Sequence, residues 1–215
     1  MVIPEVSIVM AVFNRDFRLV ERALNSVLGQ DFKSTEIIIA DDGSTLALGE
    51  KLLEYAIRNE SNITYLRHAN IGQADSVNQA VAISKARYIG LIDSDDEYKP
   101  NHISQCLKSI SAGSDLIASI PEIAANKPED YYVPDKYDLH KDIHIDDCII
   151  FGTLFGKREV FTDIGFKNIY SLDSDFYERA GKRYKTLKVP LKTYKYYSGS
   201  EDGITAKHRR LRNIS

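Results

Sequence analysis

Apolar positions along this chain fall into two alternating patterns. Continuous apolar runs of strand length occur at Val6 to Phe13 (VSIVMAVF), Glu36 to Ala40 (EIIIA), Ile63 to Leu66, Tyr88 to Ile92 (YIGLI) and Leu116 to Ile120. Between them, apolar residues recur every three or four positions. The first pattern predicts strands buried on both faces and the second predicts amphipathic helices. Phe17, Val20, Leu24, Val27 and Leu28 form one helical stripe, with Gly29 as its stop. Leu48, Leu52, Tyr55 and Ala56 form a second, and Ala74, Val77 and Val81 form a third after Gly72. Pro100 opens a fourth, carrying Ile103, Leu107 and Ile110, because its fixed φ suits a first helical turn.

This alternation predicts βαβ units: an α/β chain with a mostly parallel central sheet flanked by helices. From Glu122 to Asp147 the pattern dissolves into Pro, Tyr, Asp, Lys and His, which predicts a long irregular loop. Order returns with Ile149 to Phe155, a helix over Lys157 to Ile164 and another from about Asp173 to Ala180. Strands follow at Lys185 to Val189 and Lys192 to Tyr197. With neither a repeat nor a linker, the expectation is a single domain, about 1–120 as one half and about 121–215 as a smaller C-terminal half.

Composition narrows the setting. The 215 residues suffice for one α/β domain with a substantial core. Hydrophobic residues at 43% and charged residues at 27% are ordinary for a soluble globular chain. No run approaches the ~20 apolar residues of a membrane span, and Met1 to Ser7 lacks the form of a signal peptide. Two cysteines, Cys106 and Cys148, argue against a disulfide framework and for a cytoplasmic location. A formal charge of −3 argues against general nucleic-acid binding. Lys207, His208, Arg209, Arg210 and Arg212 form a basic tail. Such a tail either stays solvated or closes over a phosphate-bearing ligand, and it also offers a route to peripheral membrane contact.

Candidate chemistry sits where strands end. Asp93-Ser94-Asp95-Asp96 follows the fourth apolar run, and Asp41-Asp42-Gly43-Ser44 follows the second. Ligands of open α/β sheets bind beyond the carboxyl ends of strands, so both clusters should share one edge of the molecule. Carboxylates this close repel one another unless a cation lies among them. Mg²⁺ is suited to that place, since it takes one or two carboxylates plus substrate phosphates. A solvated acidic turn capping the next helix is the plain alternative. Asp41 could accept the N–H of a nucleotide base, or the segment is a βα turn capped by Asp42 or Ser44. Asn78 either ties its helix to a neighbouring loop or holds the nucleotide. Asp173 either caps the last predicted helix or acts as a general base.

In order, "VSIVMAVFN", "EIIIADDGST", "NIGQADSVNQA", "ARYIGLIDSDDEYKP", "FGKREVFTDIGF" and "LDSDFYERA" resemble the family-two glycosyltransferases of GT-A fold. The resemblance spans nearly the whole chain and is weakest between residues 122 and 147. It implies inverting transfer of a sugar from a UDP- or dTDP-sugar to a hydroxyl of a glycan or lipid-linked acceptor, with Mg²⁺ or Mn²⁺. It places Ala11, Val12, Phe13 and Asn14 on the rim of a nucleotide pocket and Asp41, with Asp42, at the base. It puts Asp93, Ser94 and Asp95 in the segment that contacts the ribose and the metal, with Asp95 first on the metal and Asp96 following. Apart from the resemblance, His208 could become a metal ligand if the tail folds back. Asp173, six residues before Arg179, falls on the catalytic base.

Three positions depart from the family pattern and bear on donor choice. Ala11 stands where Pro is usual, Val77 where many members have Arg, and Leu172 where an acidic residue often precedes the base. A sugar-phosphate nucleotidyltransferase would need a Gly-rich basic loop where this chain has Ala11-Val12-Phe13-Asn14-Arg15. A dinucleotide-dependent oxidoreductase lacks its G-x-G-x-x-G. A non-catalytic nucleotide-sugar-binding module stays open, although the presence of both Asp95 and Asp173 speaks against it. The transferase reading requires Asp41, Asp95 and Asp173 to line a single cleft.

Overall fold

The apolar runs lie side by side through the centre of the molecule. The computed structural model describes residues 3–59, 62–125 and 127–198. Its first half contains β1 (Val6–Val12), α1 (Phe17–Leu28), β2 (Thr35–Asp41), α2 (Leu46–Arg58), β3 (Ile63–Arg67), α3 (Gln73–Ile83), β4 (Tyr88–Leu91), β5 (Glu97–Tyr98), α4 (His102–Ser111) and β6 (Leu116–Ser119). The second half adds β7 (Glu122–Ala124), β8 (Tyr132–Pro134), β9 (Asp142–His144), β10 (Leu154–Lys157), α5 (Arg158–Ile164), α6 (Leu172–Gly181), β11 (Thr186–Val189) and β12 (Tyr194–Tyr197).

Seven strands form the main sheet in the order β11-β6-β10-β4-β1-β2-β3. The pairs of β1 with β2, β1 with β4, β2 with β3 and β6 with β11 are parallel. Only β10 runs against its neighbours, between β4 and β6. The unbroken apolar character of β1 follows from burial on both sides. Val6, Ile8, Met10 and Val12 pack with α1, α2 and α4, while Val9 packs on the opposite face with α3, α5 and α6. The mostly parallel sheet with two covered faces is therefore the predicted one.

The chain builds from β1 outward to β3, then crosses back to place β4 on the other side of β1. That reversal creates a crevice at the carboxyl ends of β1 and β4. Val12 pairs in register with Asp41, and Ile92, just past β4, donates its N–H to the Val9 carbonyl. Both acidic segments therefore emerge on the same edge.

Differences from the predicted elements are local. The irregular stretch does contain structure: β7 joins a small sheet in the order β5-β12-β7, and β8 pairs with β9 as a hairpin. Strands of two or three residues are too short to show a period of two, so the sequence pattern carries no trace of them. The helix expected at Pro100 begins at His102, and Lys157 ends β10 instead of opening α5.

Gly152 precedes β10 and underlies Tyr194, a fully buried ring. A Cβ at Gly152 would lie 1.9 Å from the Tyr194 hydroxyl and 2.3 Å from its Cζ. Gly152→Ala should cost about 1–3 kcal/mol through overpacking. At roughly 2–4 °C per kcal/mol for a chain of this size, a melting curve reads this directly. An unchanged melting temperature would show that the ring has room to move.

Candidate functional site

Asp93, Asp95, Asp96 and Asp173 line one cleft of about 690 Å³. The first three follow β4, and Asp173 lies in the first turn of α6. The β8–β9 hairpin contributes Val133, Pro134 and Ile143 to the opposite wall, and Tyr170 and Tyr196 also face the space.

Each acid is managed differently. Asp96 is buried, and both its oxygens are engaged: Tyr194 donates its hydroxyl to Oδ2 (2.6 Å) and Tyr197 donates its backbone N–H to Oδ1 (2.8 Å). The Tyr194 hydroxyl also accepts the Asp93 N–H at 3.3 Å. One buried phenol thus fixes the acidic turn from beneath. Asp95 carries an ion pair with Arg15, Nη2 to Oδ2 at 3.0 Å, and its carbonyl accepts from Arg22.

Asp93 is pushed up to about 7, first by desolvation and then by the negative charges of Asp95 and Asp173. Burial and the same kind of repulsion hold Asp96 well above the usual carboxylate range. Asp173 is raised to about 6 by burial, against hydrogen bonds from the Ser174 N–H (2.8 Å) and the Ser171 hydroxyl (3.3 Å).

The segment around Asp173 is shaped to aim it. Ser171 takes a left-handed φ of 55°, which turns the chain into α6. Arg179, one and a half turns on, donates to the carbonyls of Ile164 (2.6 Å) and Gly165 (2.7 Å) and pairs with Asp175 (2.7 Å). These bonds answer the orphan carbonyls at the end of α5 and dock α6 against it.

Other expected site residues lie elsewhere. Asp41 is fully buried at the end of β2 and does not line the cleft, so of the three carboxylates expected to share it only Asp95 and Asp173 do. Its Oδ2 accepts from the Tyr65 hydroxyl (2.6 Å) and Arg67 (3.0 Å), and its Oδ1 from the Ser44 N–H (2.9 Å). Asp42 accepts the N–H groups of Ile71 (2.7 Å) and Gly72 (3.0 Å) and the Asn70 amide (3.0 Å). Its carboxylate is a loop clamp, engaged by two backbone donors and one side-chain amide. Asn78 donates to the Phe166 carbonyl (2.9 Å) and accepts the Phe166 N–H (2.8 Å), so it ties α3 to the loop after α5. Both side chains are engaged in holding loops, and neither lines the cleft.

Ala11, Val12, Phe13, Asn14 and Ser94 border the cleft in sequence but do not line it. His208 and the basic run 207–212 lie outside the described residues.

Among the described residues, no three His, Cys, Asp or Glu side chains converge on a common metal position. With Asp96 committed to Tyr194 and Tyr197, Asp95 and Asp93 are the donors left in the acidic turn. Asp95, balanced by Arg15 alone, and the buried Asp93 fit an ion that takes its remaining ligands from phosphate and water. They do not fit an all-protein cage.

A family model described as "Glycosyl transferase family 2" matches residues 7–177. The chain belongs to glycosyl transferase family 2. WcaA of Escherichia coli K12, a glycosyl transferase provisionally assigned to colanic acid biosynthesis, is 42% identical over 103 residues, 47% of this chain and 36% of its own. An uncharacterized glycosyltransferase of Rickettsia prowazekii is 28% identical over 88% of this chain and 64% of its own. The chain thus spans about a third to two thirds of the length of these curated relatives.

The fold matches that of solved GT-A glycosyltransferase structures. The mannosyltransferase PcManGT of Pyrobaculum calidifontis, solved with GDP-Man and Mn²⁺, superimposes with a TM-score of 0.75 at 16% identity, covering 99% of this chain and 62% of that one. TarS of S. aureus with UDP-GlcNAc gives 0.71 at 18% identity, covering 94% and 60%.

Tyr194, Tyr197 and Arg15 are site residues that sequence reasoning missed. The two tyrosines lie about a hundred positions from the carboxylates they hold, and a YKYY strand carries no signal of that partnership. Arg15 had a weak signal, a lone cation directly after β1.

The raised pKa of Asp93 has a stability consequence with a definite sign. Its folded value of about 7 exceeds the unfolded value of ~3.9, so stability falls as pH rises between the two. Asn mimics the protonated acid. Asp93→Asn should therefore melt above wild type at pH 8, with the advantage shrinking at lower pH and vanishing below about pH 4. A gain independent of pH would contradict the assignment.

Proposed function

We propose that this family member is an inverting glycosyltransferase. It moves a sugar from a nucleotide-diphosphate-sugar, a UDP- or dTDP-sugar, to a hydroxyl of a glycan or lipid-linked acceptor. The observation that carries this reading is the cleft shared by Asp93, Asp95 and Asp173. It holds a charge-demanding acidic floor and, apart from it, a carboxyl group poised near neutrality.

Asp95, with Asp93 beside it, would hold Mg²⁺ or Mn²⁺, which when bound supplies positive charge against the departing diphosphate. Asp173 serves as the base. The acceptor oxygen bonds to the anomeric carbon, the bond from that carbon to the diphosphate oxygen breaks on the opposite side, and the acceptor proton passes to Asp173. The raised pKa of Asp173 suits a group that takes up a proton near neutral pH. Tyr194 and Asp96 keep the acidic turn in place, and Arg179 keeps α6 docked. The β8–β9 wall and Tyr170 narrow the cleft around the reacting centre, which favours in-line placement. The UDP-sugar and GDP-mannose held by TarS and PcManGT support a nucleotide-sugar donor, while the choice of UDP or dTDP rests on the sequence resemblance.

Cys106 and Cys148 are unpaired, and no helix among the described residues is long and apolar enough to cross a membrane. A cytoplasmic site of action, with peripheral membrane contact through the 207–212 run, fits both facts.

Asp173→Asn should retain Mn²⁺-dependent UDP binding in calorimetry while transfer falls by ~10²–10⁴-fold. Full transfer by that variant would remove Asp173 from the mechanism. Asp95→Asn should lose the metal dependence of UDP binding.

Because the base must be ionised, kcat/KM of the wild type should fall as pH drops through about 6 and level off above it. A flat profile between pH 5 and 8 would contradict the role. Binding of UDP by the wild type, with neither transfer nor donor hydrolysis for any nucleotide-sugar, would favour a binding module instead.

A further inference from the structure

One guanidinium reaches the acidic floor and has no part in the chemistry above. Arg15 lines the same cleft and pairs with Asp95 at 3.0 Å, the two side chains being 25% and 19% exposed. The backbone that presents it is pinned on both sides. Asn14 takes a left-handed φ of 48°, a conformation that non-glycine residues seldom adopt. It is held there by a bond from its N–H to the Ser44 hydroxyl (3.1 Å) and by one from the Thr45 N–H to its side chain (2.9 Å). On the other side Asp16 caps α1 by accepting the Arg18 N–H at 3.0 Å.

Asp95 is fixed as well. Its carbonyl accepts from Arg22, which is itself paired with Glu97 at 2.9 Å. Two anchored backbones thus bring a cation and a carboxylate together inside the cleft. The pair is not needed for either turn, since each is already held by other bonds.

We propose that Arg15 is the counter-ion of Asp95 while the donor site is empty and a diphosphate-positioning residue when the site is filled. This rests on reading Asp95 as the metal-side carboxylate. A divalent cation at Asp95 competes with the guanidinium for the carboxylate and places a like charge beside it, which repels it. A diphosphate resolves that conflict, because its oxygens accept from Arg15 and face the cation together. Guanidinium is well suited to the exchange, since its planar fork fits carboxylate and phosphate oxygens alike. The consequence is coupling: the cation binds weakly alone, the nucleotide binds weakly alone, and each strengthens the other.

The test measures Mn²⁺ binding by electron paramagnetic resonance, and UDP binding by calorimetry, for the full chain and its Arg15→Gln and Arg15→Lys variants. Without nucleotide, Arg15→Gln should bind Mn²⁺ roughly three- to tenfold more tightly, because its competitor for Asp95 is gone. With Mn²⁺ present, the same variant should bind UDP about tenfold more weakly, because a phosphate contact is lost. Arg15→Lys should keep the competition for Mn²⁺ and lose part of the UDP affinity, a point charge replacing a fork.

These opposite shifts separate the proposal from a structural role, which would weaken both ligands together. Unchanged or weaker Mn²⁺ binding by Arg15→Gln would overturn it while leaving Asp95 as the metal-side group. Mn²⁺ binding that survives Asp95→Asn undiminished would overturn the Asp95 reading itself, and the proposal with it.

Discussion

Desolvation of the clustered carboxyls Asp93, Asp96 and Asp173, with repulsion from neighbouring acids added at Asp93 and Asp96, is the constraint around which this molecule is arranged. Four carboxyl groups facing one cleft cannot all ionise freely in a partly dehydrated space. The protein answers in three ways. Asp96 is buried with a phenol and a backbone N–H on its oxygens, and burial holds it well above the usual carboxylate range. A guanidinium balances Asp95. Among the described residues Asp93 and Asp173 have no ion pair, and desolvation raises their pKa values to about 7 and about 6. What is left is a site short of positive charge on one side and holding a ready proton acceptor on the other.

The fold supplies this arrangement from distant parts of the chain. The crossover from β3 back to β4 sets the acidic turn beside the end of β1, where the loop bearing Arg15 begins. Docking of α6 against α5 through Arg179 delivers Asp173 from far along the sequence. The strand β12 reaches beneath the acidic turn, so that Tyr194 can hold it, and Gly152 is small because that ring lies against it. Each functional carboxylate is backed by a residue whose purpose is visible only in three dimensions.

Much of the first half was legible in the sequence. Runs such as VSIVMAVF and EIIIA read as strands because both faces of the sheet are covered, which leaves no polar position to blur the signal. The acidic clusters were legible too, as carboxylates placed directly after such runs. Asp42, Asn78 and Asp96 show the limit. Their residue types suit a ligand, yet the structure engages them with Ile71 and Gly72, with Phe166, and with Tyr194 and Tyr197. A carboxylate that holds a loop and one that awaits a ligand look alike until their partners are known. The short strands β5, β7, β8 and β9 were illegible for a simpler reason, since two or three residues cannot display a period. The antiparallel β10 was hidden because Leu154 to Lys157 pairs with strands far away in sequence.

The central claim is spatial: an ion and a donor diphosphate sit at Asp95, with the sugar between them and Asp173. A crystal structure with Mn²⁺ and UDP, located by anomalous scattering from manganese, tests it most directly. The account predicts manganese within coordination distance of Asp95 and of the UDP phosphates, and open volume between the terminal phosphate and Asp173. Manganese bound away from Asp95, or UDP seated so that Asp173 lies outside the reach of a sugar ring, would contradict it.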